Sequence, residues 1–201
     1  MNLINGTIYK WYNDNVILSG ASIEINDNEL YFVNGKDEEQ ILTLLEVLGV
    51  VDNNKLKTLN YNIESSEVIY IPESLVYYKY MKVSDLVRFY ENTHNNFNIK
   101  KVNKFLSIFN IDKKKKVNKL DETSIFILRL IIGLSLEAKL YVVNGLTTQQ
   151  VDINDKIINL INKEYEKSFI IYDKNKIINE IATKIINIKD YDKIEITGDI
   201  K

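Results

Sequence analysis

The stretch that decides the fold reads Leu30-Tyr31-Phe32-Val33-Asn34-Gly35-Lys36-Asp37-Glu38-Glu39-Gln40 and leads into an apolar segment at residues 41–51. A short apolar run, a polar loop and a longer apolar run predict a buried strand, a turn and a helix that begins at Glu38. Many α/β proteins bind a phosphate in a loop of this kind, where a strand leads into a helix.

The loop itself lacks the residues of a phosphate site. A loop that wraps a triphosphate needs glycines, a lysine and a Ser or Thr hydroxyl for Mg²⁺, yet Leu30 and Asp37 occupy the positions of a glycine and of the hydroxyl. Residues 37–39 are all acidic, and one carboxylate about 5 Å from a phosphate charge costs about 3 kcal/mol at an effective dielectric near 20. We interpret residues 34–37 as an ordinary turn before an acidic first helical turn, which complements the helix dipole.

The composition predicts one compact α/β domain with a substantial core. The chain has 201 residues, 45% of them hydrophobic, and a formal net charge of −2, which gives no general attraction to nucleic acid. The lysine runs at residues 100–101 and 113–116 are interpreted as solvated turns. The absence of cysteine excludes disulfides and thiolate metal sites, and the single histidine, His94, lies in a polar stretch typical of a surface loop. No metal site is expected.

Neither the N-terminus nor the longest apolar stretch of the sequence predicts insertion into a membrane. The N-terminus lacks the basic and apolar regions of a signal peptide. The longest apolar stretch, residues 125–136, contains Arg129 and is shorter than the roughly 20 residues that cross a bilayer. We therefore expect a cytoplasmic protein, held at the membrane, if at all, through a partner.

The order of predicted elements describes a layered fold. Strands are predicted at residues 16–25, 29–33, 57–61 and 68–71, with the helix at 38–48 between them, and the only proline, Pro72, follows. Helices at 83–90 and 102–109 then form an inserted lobe. A buried helix at 122–136, strands at 140–143 and 169–172, helices at 154–165 and 177–183, and a hairpin of 184–189 with 194–197 complete the chain. Strands that alternate with helices imply a mainly parallel sheet, with an antiparallel start, a core of residues 1–72 and 119–201, and a helical lobe at 73–118.

This order resembles the ATP-binding domain of ABC transporters over residues 5–198. Residues 8–12 with 16–18 are similar to the family's opening strand, in which an aromatic residue stacks on adenine. Ile69-Tyr70-Ile71-Pro72 resembles the strand before the family's Q-loop, residues 75–90 resemble the start of its helical lobe, and residues 186–194 resemble its closing hairpin. The resemblance implies a P-loop NTPase-like core and an ATPase activity.

The residues that bind phosphate and metal in that family are replaced in this chain. Gln40 falls near the P-loop lysine, and Ile41 falls near the hydroxyl that binds Mg²⁺. In the segment that resembles Walker B, Asn144 stands at the metal-associated aspartate, and Gly145 stands at the carboxylate that orients or activates water. Glycine and a neutral amide cannot perform these two tasks.

Three further motifs are altered. The Q-loop glutamine becomes Glu73, and the signature L-S-G-G-Q corresponds to Leu120-Asp121-Glu122-Thr123-Ser124. The switch histidine falls at Asp173 or Lys174, depending on a gap of one residue. Together the replacements argue against hydrolysis.

Tyr12 and Asp152 retain something of the family's nucleotide contacts. Tyr12 falls at the adenine-stacking aromatic and Asp152 at the D-loop aspartate. Each has a second interpretation, because an aromatic at a strand end often packs in a core or on a surface, and Asp152 also suits the start of a helix. No cofactor is expected, and weak ATP binding is left open.

The resemblance also implies protein partners. In the family two domains enclose two nucleotides, each between the P-loop of one chain and the signature of the other, and a groove receives a helix of the membrane subunit. The groove corresponds here to Glu73, Leu75, Tyr77, Tyr78, Tyr80 and Met81. A cluster of tyrosines with methionine suits a protein contact; the alternative is that these side chains pack within the lobe.

Three functions follow from these observations. The favoured one is a catalytically inactive ABC-ATPase-like subunit that docks on a membrane subunit or on a catalytic paralogue, as a homodimer or heterodimer and without nucleic acid. The second is a working transporter ATPase with divergent motifs, and the third is an interaction domain unconnected with transport.

Overall fold

The computed structural model of the protein describes residues 1–12, 15–49, 59–164 and 166–198, without the side chains of residues 11, 12 and 15. The chain divides into two compact units. One consists of Met1–Tyr70 with Lys139–Lys201, and the other of Ile71–Ala138. Both ends of the sequence therefore belong to the same unit, and the second unit is an insertion in it.

An antiparallel sheet of three strands begins the first unit. The strands are β1 (Asn2–Tyr12), β2 (Asn15–Asn26) and β4 (Leu59–Tyr61), in the order β2-β1-β4. In β2, residues 21, 23 and 25 are buried while 22 and 24 are exposed, as the alternating pattern predicts. The predicted strand at 16–25 is confirmed, whereas residues 57 and 58 of the one at 57–61 lie outside the described chain.

A six-stranded sheet forms the centre of the same unit. Its order is β5-β6-β7-β3-β8-β9. The parallel pairs include β6 with β7, β7 with β3, and β3 with β8, while β9 is antiparallel to β8. The predicted mainly parallel sheet is confirmed. The bounds are β3 Leu30–Gly35, β5 Val68–Ile71, β6 Leu140–Asn144, β7 Ser168–Tyr172, β8 Lys184–Asp190 and β9 Lys193–Gly198.

Apolar side chains of both sheets share one core with the helix α1 (Glu38–Gly49). Leu44 and Leu48 of α1 are fully buried in this core, beside strand residues such as Val142 and Ile170. The Tyr61 hydroxyl donates a hydrogen bond to the Val47 carbonyl oxygen at 2.6 Å, and burial raises the pKa of Tyr61 to about 12.

The described residues of this unit also form the helix α5 (Val151–Asn162), which begins three residues before the predicted start. Residue 165 of the prediction lies outside the described chain. The helix predicted at residues 177–183 is wrong. Only a 3₁₀ turn forms there, at Ile177–Glu180, because Lys176 adopts a left-handed φ of 58° and β8 begins at Lys184. Too few residues remain for an α-helix.

The unit Ile71–Ala138 contains three α-helices among its residues, all of which the structure describes. They are α2 (Val83–Thr93), α3 (Ile99–Ile108) and α4 (Glu122–Leu134). The sequence placed the end of the lobe at residue 118, whereas the compact unit extends to Ala138. The difference arises because α4 packs against α3 and so belongs to the same body.

The apolar helix α4 is buried continuously from Ile127 to Leu134. Its one cation, Arg129, is buried too; the guanidinium donates a hydrogen bond to the Pro72 carbonyl oxygen and lies over the Phe126 ring, 4.6 Å from the centroid. Burial of this charge is tolerated because those partners replace water. Among the described residues, no helix has the length and apolar character needed to cross a bilayer.

A substitution at Gly133 tests how closely α4 packs against Ile71. A Cβ added there would lie 2.5 Å from Ile71 Cδ1 and 2.6 Å from its Cγ1. We expect Gly133→Ala to lower the free energy of unfolding by about 1–3 kcal/mol through overpacking, measured by urea denaturation. Gly198→Ala is the matched control, since its new Cβ would meet only the flexible end of Lys184, at 3.2 Å. Equal stability of the two variants would contradict this packing.

Candidate functional site

The candidate site lies where three neighbouring parallel strands end. β6, β7 and β3 are adjacent in the sheet and run in the same direction, so the loops after them meet at one edge. This carboxyl edge is where open α/β sheets bind ligands. The structure therefore brings together three predicted segments: residues 36–37, residues 144–147 and residues 173–175.

The loop after β3 is shorter than the sequence suggested. β3 continues through Gly35 and α1 begins at Glu38, so the predicted turn at 34–37 is wrong in its first half, because Asn34 and Gly35 pair with β8. Only residues 36 and 37 connect the two elements. Gly35 serves packing: a Cβ there would lie 3.2 Å from Ile41 and 3.3 Å from Ile188.

The start of α1 is occupied by an acidic side chain of the chain itself. Oδ1 of Asp37 accepts hydrogen bonds from the backbone N–H groups of Glu39, at 2.8 Å, and Gln40, at 3.4 Å. These N–H groups have no partner within the helix, and they are the groups that bind a phosphate when a helix start forms an anion site. Asp37 thus places a fixed carboxylate at the position of a phosphate.

Gln40 and Lys174, predicted at the P-loop lysine and at the switch position, both make contacts within the chain. The Gln40 side-chain amide donates to the Ile17 carbonyl oxygen of β2 at 3.2 Å. Lys174, one of the two candidates for the switch position, forms an ion pair with Glu38 at 2.8 Å. Both charged side chains of that pair are half exposed, so the pair contributes little to stability.

The segment that resembles Walker B ends in a buried residue and a hydrogen-bonded turn. Asn144 is the last residue of β6 and is buried. Gly145 has a positive φ of 79°, which glycine adopts without strain, and its N–H donates to the Tyr172 carbonyl oxygen at 2.8 Å. Gly145 therefore forms a turn that ties β6 to β7.

A buried polar network joins the loops after β6 and β7. Asp173 is only 1% exposed, and the Thr147 hydroxyl lies 2.6 and 2.7 Å from its two carboxylate oxygens. The Thr147 N–H donates to the same carboxylate at 3.2 Å, and the Asn175 side chain donates to the Thr147 carbonyl oxygen at 3.2 Å.

Of this network the sequence predicted only Asp173, as one of two candidates for the switch position. Thr147 carried no sequence signal, because its partner is 26 positions away. The hydrogen bonds satisfy a buried carboxylate, which would otherwise be costly. They hold the two loops together, and they account for Asp173 as a structural group.

The two predicted nucleotide contacts, Tyr12 and Asp152, lie at the end of a strand and at the start of a helix. Tyr12 is the last residue of β1, and its side chain lies outside the described part. Asp152 is exposed in the first turn of α5, where an acidic residue complements the helix dipole. Among the described residues, no group of three or more His, Cys, Asp and Glu could hold a metal ion.

In the unit Ile71–Ala138, the signature-like segment also ends in a capped helix. Asp121 is the N-cap of α4, and its carboxylate accepts from the Ser124 N–H at 2.8 Å and from the Ser124 hydroxyl at 2.9 Å. These hydrogen bonds, the backbone one first, lower the pKa of Asp121. As at α1, a carboxylate of the chain occupies the helix N-terminus.

The predicted docking residues of the same unit lie in an irregular segment between β5 and α2. Tyr78 and Tyr80 are 62% and 72% exposed and stack on each other with ring centroids 5.7 Å apart. Val76 between them and β5 is 81% exposed and was not predicted. Glu73 is exposed as well, whereas Leu75, Tyr77 and Met81 are partly buried. The interpretation as lobe packing is therefore wrong for Tyr78 and Tyr80.

Known structures similar to this chain include ABC transporter ATP-binding cassettes. The chain is similar to an ATP-binding subunit of an ABC transporter, with a TM-score of 0.77 and 10% identity over 98% of this chain and 90% of that one. A dimeric bacterial ABC transporter cassette gives a TM-score of 0.78 and 12% identity over 98% of both chains.

A third example is cbiO1 from Clostridium perfringens, part of the ABC transporter complex cbiONQ, with a TM-score of 0.73 and 14% identity over 98% of this chain and 88% of that one. No protein-family model matches the sequence. No curated protein sequence matches it. The comparisons show the fold of an ATP-binding cassette across nearly the whole chain.

The role of Asp37 as a helix cap is testable. We expect Asp37→Ala to lower the free energy of unfolding by about 1 kcal/mol, because it removes the acceptor of the α1 N–H groups; urea denaturation measures this. Glu46→Ala removes a carboxylate from an exposed position of the same helix and should change stability by less than about 0.5 kcal/mol. An equal loss in both variants would contradict the capping role.

Proposed function

We propose that this protein is a catalytically inactive, ABC-ATPase-like subunit that acts as a structural or regulatory partner of a membrane subunit or of a catalytic paralogue. The observation that carries the proposal is the carboxylate of Asp37 on the N-terminal N–H groups of α1. A nucleotide phosphate would need those same donors.

Repulsion between carboxylates and phosphate also disfavours a nucleotide at the start of α1. Glu38 and Glu39 follow Asp37 directly, so a bound phosphate would face three carboxylates within one helical turn. Lys174 neutralises Glu38 in part, but the ion pair also draws this cation away from a phosphate. These charges support at most weak binding of ATP.

The chemical groups of hydrolysis are also lacking at the sheet edge. Asn144 offers a neutral amide at the place of a metal-binding carboxylate, and Gly145 offers only a backbone turn. Neither residue offers a carboxylate that could orient a water molecule, and the Asp173 carboxylate at the same edge is hydrogen-bonded to Thr147. The Thr147–Asp173 network restrains the loop that would carry a switch residue.

Docking on a protein is supported by the exposed segment before α2. Tyrosine is enriched at protein interfaces because its ring is apolar while its hydroxyl tolerates water. Tyr78 and Tyr80 expose most of their surface, and their stacking fixes the two rings in one orientation. With Glu73, Leu75, Tyr77 and Met81 this segment forms the proposed contact with a transporter subunit, on the cytoplasmic face of a membrane.

Nucleotide chemistry separates this proposal from a working ATPase. We expect calorimetric titration of the purified chain with Mg-ATP to give a dissociation constant above about 1 mM. ATP turnover should lie below about 0.01 s⁻¹, against enzyme values on the order of 10 s⁻¹. A cassette with intact motifs, measured under the same conditions, is the control. Micromolar binding with turnover would instead favour a divergent but working ATPase.

Partner binding tests the docking segment. We expect Tyr78→Asp to abolish co-purification with a membrane partner in detergent, because a buried carboxylate would replace an interfacial ring. The matched control is Tyr191→Asp, which changes an exposed tyrosine of the β8–β9 turn. Circular dichroism checks that both variants fold. Unchanged co-purification of Tyr78→Asp would count against this segment as the docking site.

A further inference from the structure

The two units of the chain carry opposite charge. Residues 71–138 contain twelve Lys and Arg against seven Asp and Glu, a formal net charge of +5, while the rest of the chain contains 14 against 21, a net charge of −7. The overall value of −2 conceals this division. A small unit with such an excess of cations attracts anionic surfaces.

Backbone hydrogen bonds bring part of this charge next to the exposed tyrosines. The N–H of Val83 donates to the Lys115 carbonyl oxygen at 3.0 Å, and the N–H of Val117 donates to the Met81 carbonyl oxygen at 2.9 Å. Lys82 and Lys116 form an antiparallel bridge. Lys115 and Lys116 therefore lie beside residues 81–83, which directly follow Tyr78 and Tyr80 in the chain.

We call this region the lysine–tyrosine surface and define it by Val76, Tyr78, Tyr80, Lys114, Lys115 and Lys116. All six side chains are exposed. No ion pair holds any of the three lysines in the part of the chain that the structure describes. Lys113 is excluded, because its ammonium group donates to the Asn103 side chain at 2.5 Å.

Three carboxylates near this surface accept hydrogen bonds from backbone groups. Asp112 accepts from the Lys114 N–H at 2.9 Å, and Asp85 accepts from the Lys82 N–H at 2.9 Å. Asp121 caps α4, and the charge of Lys115 is the smallest of the influences that lower its pKa. These three groups reduce the positive potential without forming ion pairs with Lys114, Lys115 or Lys116.

The mixture of side chains indicates the kind of anion. Lysines that extend into water beside exposed tyrosine rings and an aliphatic side chain match the layered chemistry of a membrane surface, with phosphate outside and hydrocarbon beneath. A single-stranded nucleic acid fits less well, because Val76 offers nothing to a base or a phosphate, and each stacked tyrosine has one face covered by the other.

We propose that the lysine–tyrosine surface binds the anionic headgroup layer of a lipid membrane directly. The lysines contact lipid phosphates, while Tyr78, Tyr80 and Val76 lie at the level of the headgroups. Such binding is peripheral and depends on salt. It does not rest on the proposed function, since it requires no protein partner, and it is an alternative to the proposed protein contact for the side chains of Tyr78 and Tyr80.

Sedimentation of the full chain with protein-free vesicles tests this proposal. We expect binding to phosphatidylcholine mixed with phosphatidylglycerol and none to phosphatidylcholine alone, with a loss of at least about tenfold at about 0.5 M NaCl. Replacement of Lys114, Lys115 and Lys116 by glutamine should weaken binding by about 100-fold, since each lysine contributes about fivefold.

A second triple variant is the matched control. Lys36, Lys156 and Lys163 are exposed residues of the acidic unit, and their replacement by glutamine changes the net charge of the chain equally. It should leave vesicle binding within about threefold. Equal weakening by both triple variants would overturn the proposal, because net charge alone would then explain binding.

Two other outcomes would also overturn it. One is the absence of binding to anionic vesicles by the unmodified chain. The other is binding to a single-stranded oligonucleotide, lost in the Lys114, Lys115 and Lys116 variant, without any binding to vesicles. Co-purification tests the protein contact, whereas protein-free vesicles test the lipid contact. Failure of the proposed function and failure of this inference are therefore distinguishable.

Discussion

The first turn of an α-helix leaves backbone N–H groups without a partner, and the way these groups are satisfied determines much of this protein's chemistry. At α1 the acceptor is Asp37, and at α4 it is Asp121. By the resemblance, both helix starts correspond to places where an ATP-binding cassette holds phosphates. Here each place contains a carboxylate that belongs to the chain, which stabilises the helix and disfavours a second anion.

In the other loops of the sheet edge, polar groups are likewise bound by other groups of the chain. Thr147, Asp173 and Asn175 hydrogen-bond one another, Gln40 contacts β2, and Gly145 closes a turn against Tyr172. Each contact satisfies a polar group that would otherwise face a ligand or water. The stability of the fold rests on the apolar core shared by the strands and α1.

The unit Ile71–Ala138 exposes aromatic and basic side chains to solvent. Its exposed tyrosines directly precede a segment that pairs with residues 115–117, although the two segments are more than thirty positions apart in the sequence. Exposure of Tyr78 and Tyr80 lowers solubility and stabilises no core, so a contact with another molecule is the physical reason we assign to it. The charge of +5 on this unit then indicates what kind of surface lies nearby.

The sequence by itself determined the class and order of the elements, because hydrophobic periodicity is a local property. It identified strands such as 68–71, the helix at Glu38 and the mainly parallel sheet. It misjudged the turn at Asn34, the helix at 177–183 and the end of the helical unit, which depend on strand pairing and packing. The Thr147–Asp173 hydrogen bonds, the exposure of Tyr78 and Tyr80, and their junction with Lys114–Lys116 were decided only by the tertiary structure, since each requires residues distant in the chain to meet in space.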